Sequence, residues 1–202
     1  MHFRKVNAAP WGQAGIAAIP WMFITMLGST GLLKSSSIAI LNANYMMERL
    51  RPHYPIFTRS KRCSHEFIVD MSGIRDETGI GEEDVAKRLQ DYGFHAPTMS
   101  WPVAHSMMIE PTESESKEEL DRFCDAFISI RKEIQLIKDG VYDLNDNPLK
   151  NAPHTQAMCL KDEWNHCYSR QVDEISNPGR SKILASKNQF LHPRTDIRNQ
   201  IL

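Results

Sequence analysis

No Gly-x-Gly-x-x-Gly turn, no Gly-rich loop ending in Gly-Lys-Ser/Thr, no Cys-x-x-Cys pair and no His-Glu-x-x-His helix occurs in the sequence. The chain therefore lacks the local signatures of dinucleotide binding, of a nucleotide phosphate loop, of dithiol redox chemistry and of a zinc hydrolase. Cysteine is scarce. Cys63, Cys124, Cys159 and Cys167 in 202 residues make no disulfide framework, which points to a reduced intracellular compartment. Excess charge is also missing. A net charge of −1 supplies no broad field, so neither nucleic acid nor an anionic membrane is called for as a partner. Internal repeats and low-complexity tracts are absent as well.

Charge is missing in a second sense. Val6 to Leu33 holds no charged residue, and it follows the basic start Met-His-Phe-Arg-Lys. That pattern fits a buried helix, a membrane segment or a signal peptide. Pro10 and Pro20 interrupt it, and each proline ring removes a helix donor and crowds the preceding turn. Gly28-Ser29-Thr30-Gly31 reads as a loop that divides the stretch below spanning length. Trp11 to Leu27 thus reads as a helix that is apolar on most faces and so buried on most faces.

What is present is ordinary: 41% hydrophobic and 24% charged residues suit a globular chain. Ser35-Ser36-Ser37 offers caps for a second helix, because a serine hydroxyl accepts from first-turn amides. Ile38, Ile40, Leu41, Tyr45 and Met46 carry it to about Leu50, where Arg51-Pro52 ends it. His65 to Met71 is β-branched and aromatic, the composition of a mostly buried strand. Glu82-Glu83-Asp84 place acids at the positive end of a helix whose apolar stripe is Val85, Leu89 and Tyr92 and whose stop is Gly93. Pro97 and Pro102 bracket a short irregular or extended stretch. Met107-Met108-Ile109 reads as a second strand. Ser116 with Glu119 has capping-box spacing and opens a helix through Leu120, Phe123, Cys124, Phe127, Ile130, Ile134 and Ile137 to Gly140. The order helix, strand, helix, strand, helix gives an α/β to α+β chain, most economically one small sheet with helices on one face. After Asn145 the apolar periodicity stops. Residues 146–202 read as an extended tail that wraps something else or is partly unstructured.

Few residues point to chemistry. Cys159, His166 and Cys167 have the right types for zinc but no fourth ligand and no paired spacing, so no metal site is expected. His95 follows a helix end, a frequent place for a site residue, although a lone histidine is more often structural. Glu110 to Ser116 lies between a strand and a helix N-terminus, where an anion could bind. Its three glutamates fit capping better than phosphate.

Longer strings carry more. Ala8-Ala9-Pro10-Trp11-Gly12, Ala39 to Met46, His65-Glu66-Phe67-Ile68, Asp84 to Leu89, Asp91 to Val103, Glu110 to Glu115, Leu120 to Ala126 and Asn147-Pro148-Leu149-Lys150 occur in order. Over about Val6 to Arg170 they resemble the C-terminal part of the P-protein of the glycine cleavage system, and the run Asp91 to Val103 is the most specific of them.

The resemblance implies the C-terminal part of a fold-type-I transferase dependent on pyridoxal 5′-phosphate. Residues 1–45 would be the end of the large domain and a linker helix, 46–145 a small α+β domain, and 146–202 a C-terminal tail. The implied activity is glycine dehydrogenase (decarboxylating), an oxidoreductase of glycine catabolism. Glycine is decarboxylated on the cofactor, which acts as electron sink, and the aminomethyl group passes to the lipoyl group of H-protein. Implied partners are lipoylated H-protein and a homodimer mate or the large domain of the P-protein, with no nucleic acid and no membrane. The implied location is mitochondrial in a eukaryote, although no presequence is evident. The family's cofactor lysine follows a histidine and precedes glycines, and no lysine here has those neighbours, so no catalytic residue is expected in this chain. Trp11 and Gly12 are expected near the cofactor, and His95, Ser100 and Glu113 facing the substrate cleft. The alternatives are a non-catalytic fragment that docks on intact P-protein or H-protein, and a protein anchored through residues 14–33. The apolar N-terminal stretch is expected to leave an exposed apolar patch when the chain is alone. Departures from the family pattern occur at Asn7, at Gly73 to Asp76 in place of Arg-Pro-Phe-Lys, at His105-Ser106 in place of Gly-Thr, and throughout the region after Arg170.

Overall fold

A computed structural model of the chain describes residues 12–58 and 60–170. Trp11 and the tail beyond Arg170 lie outside the described residues. Among the described residues nine elements occur in the order α1 (Ala14–Leu50), β1 (Ile56–Phe57), β2 (Phe67–Asp70), α2 (Ser72–Thr78), α3 (Glu82–Asp91), β3 (Thr98–Met99), β4 (Ser106–Ile109), α4 (Lys117–Lys138) and α5 (Gln156–Cys159). The four strands form one antiparallel sheet in the order β1-β2-β4-β3, with Phe67 opposite Ile109 and Val69 opposite Met107. These four residues are buried, whereas Ile68 and Met108 between them are half-buried. Side chains alternate across a pleated sheet, so one face meets the core and the other is left more open. The layer arrangement expected from the sequence holds.

Several expectations need correction. The two N-terminal helices run together as α1, with a break between them at Gly28. The loop expected at Gly28 to Gly31 shrinks to Gly28 alone, whose φ of 61° and ψ of −175° lie in a region open essentially only to glycine. Ser37 does not cap a helix; its hydroxyl donates to Leu33 O within the running helix. Burial of the apolar half is also not found. Ile19, Trp21, Phe23, Ile24 and Met26 are exposed, and the first buried residue of α1 is Asn42. Nothing in this body covers them, which is the exposed patch expected of the chain alone. By length and composition α1 could cross a membrane. The break at Gly28 leaves an Ala14–Leu27 segment, with Pro20 inside it, of only about 20 Å, against about 30 Å of hydrocarbon.

The core joins the C-terminal half of α1, the inner sheet face, α3 and α4. Met46, Met47 and Leu50 meet Leu89, Phe127, Ile130 and Ile134, all buried. Cys124 lies among them, and burial pushes its thiol up to about 12, so it behaves as a small hydrophobe. Across the α1–α4 contact, Arg49 pairs with Asp121 and Asp125 at 2.6 Å, and the Tyr45 hydroxyl donates to Asp121. The Ser116 cap forms, accepting from Glu119 N, but Glu119 turns to Arg122 and does not return to the cap. At α3 the returning half alone is made: Gly81 N donates to Asp84, and glycine has no side chain to answer it.

The part of the expected tail beyond Arg170 lies outside the described residues. Up to Arg170 the stretch after Asn145 folds onto this body. Asn147, Leu149, His154 and Tyr168 are buried, and His154 reaches Asp91 at the end of α3. Polar turns do this work: Asp143 accepts from the amides of Asn145 and Asp146, and Asn147 from those of Leu149 and Lys150.

Candidate functional site

Helix α3 stops where Gly93 takes a φ of 77°, and the chain turns across the end of the sheet. That turn builds a cleft of about 480 Å³ between residues 93–98, the end of β4 and the start of α4. Met46, Phe94, Met108, Leu120 and Phe123 contribute apolar walls, and His95, Glu110, Glu115 and Glu119 contribute polar groups. Phe94 is fixed edge-on against Phe123, with the Arg122 guanidinium 3.7 Å from its ring centre. His95 is exposed, and its Nδ1 lies 3.0 Å from Ala96 O. A carbonyl only accepts, so Nδ1 carries the proton and Nε2 is the atom able to take one. The hydrogen bond and charge of Arg122 outweigh burial and hold the Glu119 carboxyl below its ordinary value. This apolar cleft with acids suits an amine-bearing group better than a phosphate.

Glu113 belongs to a different cavity, lined by Ser35, Ser36 and Ile40 of α1 together with His65 and Thr112. The two spaces share one wall, Glu110-Pro111. Asn42 Nδ2 donates to Thr112 O and fixes that loop to α1.

Ser100 lines neither space. Its hydroxyl donates to Glu82 Oε1 at 2.7 Å and accepts from His105 N at 3.3 Å. Arg75 and His105 complete this cluster. Of the five residues expected from the resemblance, His95 and Glu113 therefore lie in adjoining cavities and Ser100 apart from both. Gly12 is exposed at the start of the described chain with nothing near its Cβ position, and Trp11 lies outside it.

Sequence reading missed Glu82, Arg75 and His105 as a group. The available signal was that Arg75 and His105 both fall in segments departing from the family pattern. It also missed the buried cluster in which Arg88 binds Glu133 and Asp91, and Asp91 binds His154. Nothing in their sequence spacing joins positions 63 residues apart.

Pyridoxal phosphate requires a lysine amine in a pocket and donors for its phosphate. Among the described residues, no lysine lines the His95 cleft or the Glu113 cavity, and both carry glutamates. Lys87, Lys117 and Lys138 are paired with acids along the helices, and Lys150 reaches Asp84 from the turn after α4. These residues do not fit the cofactor. Cys159 is buried and His166 pairs with Asp146, and no group of three potential metal ligands is found among the described residues.

A family profile described as "Glycine dehydrogenase, C-terminal domain" matches residues 35–154. Proteins named glycine dehydrogenase (decarboxylating) are similar over 169 residues, 83% of this chain. Those from Vibrio campbellii and Vibrio cholerae are 57% identical there, and that from Aliivibrio fischeri 55%. The chain spans 18% of the length of each of these relatives.

Proposed function

The chain belongs to the glycine dehydrogenase family through its C-terminal domain, and from that premise we propose that it serves the decarboxylation of glycine in the glycine cleavage system. In this reading it is the small-domain part of a fold-type-I pyridoxal-phosphate enzyme. The cofactor and its lysine lie on polypeptide other than the residues described here. Residues 1–45 pass from the large domain to the small one, and 46–145 are the small domain, which the segment after Asn145 braces. The product aminomethyl group goes to the lipoyl group of H-protein. In a eukaryotic source the protein would be mitochondrial.

One observation carries the reading. The matched residues 35–154 cover most of the packed body, from its start at Asn42 through the His95 cleft to His154. A domain folded by itself around an acidic cleft, with no lysine lining it, suits a cap over a reaction centre. His95 and Glu113, on either side of the Glu110-Pro111 wall, would face glycine and exclude water when the cap closes. The exposed half of α1 would pack on the remainder of the enzyme.

Complementation tests this. A Vibrio relative shortened before the region matching this chain is co-expressed with the 202-residue protein, and exchange of labelled bicarbonate into the glycine carboxyl is followed. Exchange is expected only when both pieces are present. A stable complex without exchange would favour the docking fragment over the enzyme part. Borohydride treatment of the 202-residue chain with added pyridoxal phosphate should leave no specific coenzyme–lysine adduct.

A further inference from the structure

Three glutamates line the His95 cleft, and they are not equally occupied. Glu119 is held by Arg122. Glu110 has His65 at 3.8 Å, and Glu115 has no ion pair among the described residues. Phe94, Met108, Leu120 and Phe123 stand beside these acids. At about 480 Å³ the cleft has the size of a binding site. Acids set against an apolar wall are matched by lysines next to apolar side chains, since a lysine lays its stem on the wall and keeps its head at the carboxylate.

The chain itself carries such a segment. No acid occurs between Ile175 and Thr195, while Arg180, Lys182, Lys187 and Arg194 are basic, and Lys182 and Lys187 flank the apolar pair Ile183-Leu184. The described residues end on the right side of the molecule for it. The Arg170 guanidinium lies 5.3 Å from the Trp164 ring centre, Trp164 stacks on His154, and His154 binds Asp91, two residues before the Gly93 that opens the cleft. Lys182 is twelve residues beyond Arg170. That is a reach of about 40 Å in extended chain, roughly the width of a domain of this size.

We infer that residues 180–187 of this chain dock in the His95 cleft, with Ile183 and Leu184 on the apolar walls and Lys182 and Lys187 at Glu110 and Glu115. The other surfaces suit this segment less. The cavity at Thr155 to His166 already carries Lys161, which repels it. The Glu113 cavity has acids but no phenylalanine or methionine in its walls. The exposed half of α1 has no charge to meet the lysines. The segment covers the cleft when the domain is alone, and any ligand has to displace it. This goes beyond the proposed activity and stands without it, because it concerns the isolated chain.

The test is zero-length carbodiimide cross-linking of the full chain, prepared as an equal mixture of nitrogen-14 and nitrogen-15 copies and read by mass spectrometry of its peptides. Amide links are expected from Lys182 or Lys187 to Glu110 or Glu115, within one copy and so free of mixed-isotope pairs. Ile183→Ser combined with Leu184→Ser keeps both amines and should lower the yield of these links by about tenfold, because the apolar part of the contact is lost. The methyl signal of Met108 in the cleft should move with the same double substitution. That of Met71, fully buried in the core, should stay and so report that the body is still folded. Links scattered over other acids of the body, links found mainly in mixed-isotope pairs, or a Met108 signal that ignores the double substitution would each overturn the inference. None of these readouts needs bicarbonate exchange, so a failed complementation leaves the outcome unaffected.

Discussion

Nδ1 of His154 lies 2.7 Å from Oδ2 of Asp91, and neither side chain has any exposure to solvent. The same carboxylate accepts from His154 N and from Arg88 Nη1, and Arg88 is clamped from its other side by Glu133. Asp91 is thus the joint between α3, α4 and the returning C-terminal segment.

Asp91→Ala should be severe. It strips a buried guanidinium of an acid and frees His154 from its anchor on Asp91. Removing one partner of a buried ion pair costs roughly 3–5 kcal/mol. Urea unfolding should show that loss, and a change below about 1 kcal/mol would exclude Asp91 as the joint.

Acid should loosen the same junction. Burial works to raise the Asp91 carboxyl, but the His154 hydrogen bond and the Arg88 charge outweigh it and leave it below its ordinary value. Asp146 is held at about 2: burial raises it, and the Cys167 amide, His166 and Asn151 outweigh that. An aspartate in the unfolded chain titrates near about 3.9. A carboxyl depressed in the fold stabilises fully above that unfolded value, and the contribution fades as pH falls through the folded one. Urea midpoints should therefore be flat from pH 7 to 5 and drop between about 4 and 2. Asp146→Asn should flatten part of that drop.

The periodic elements were legible in the sequence because their signals are local. The 3-and-4 spacing from Leu120 to Ile137, the Ser116 cap and the stops at Gly93 and Gly140 each follow from adjacent residues, and each is found. The two-residue strands β1 and β3 have no period to read and exist only because β2 and β4 offer them partners. Helix α2 hides in Ser72–Thr78, which is short and begins without a side-chain cap. Site residues divide the same way. His95 follows a recognisable helix stop, whereas the meeting of Arg75, Glu82 and His105 depends on how α2, α3 and the β3–β4 loop pack. The packing of residues 146–170 was not legible because a segment fixed by Asx turns and one buried histidine has no apolar period.

Leu149→Ala tests that last point. Leu149 is fully buried in the main core, although it lies beyond the last periodic helix. A buried leucine truncated to alanine costs roughly 2–5 kcal/mol. The equilibrium unfolding curve should shift by that amount as one transition. Lys161→Ala, on the exposed surface of the same segment, should leave it unchanged. A neutral Leu149→Ala would mean that the segment is not part of the cooperative fold.

The exposed half of α1 should be replaceable without harm to the body and with harm to assembly. Ile19, Ile24 and Met26 are 63%, 53% and 85% exposed, and none lies among the residues of the core cluster. Surfaces of this kind on an isolated chain drive association, since each apolar side chain leaves water on contact with another copy. The triple variant Ile19→Gln, Ile24→Gln, Met26→Gln should scatter as a smaller particle than the parent at equal concentration. Its thermal midpoint should remain within a degree or two, because glutamine keeps helix propensity and no core contact is removed. In the complementation experiment the same variant should lose bicarbonate exchange, because α1 would no longer present an apolar face to the complementary piece. A lowered thermal midpoint with unchanged association would instead place this half of α1 inside the fold of the isolated chain. Unchanged exchange would remove α1 as the contact through which the domain joins the rest of the enzyme.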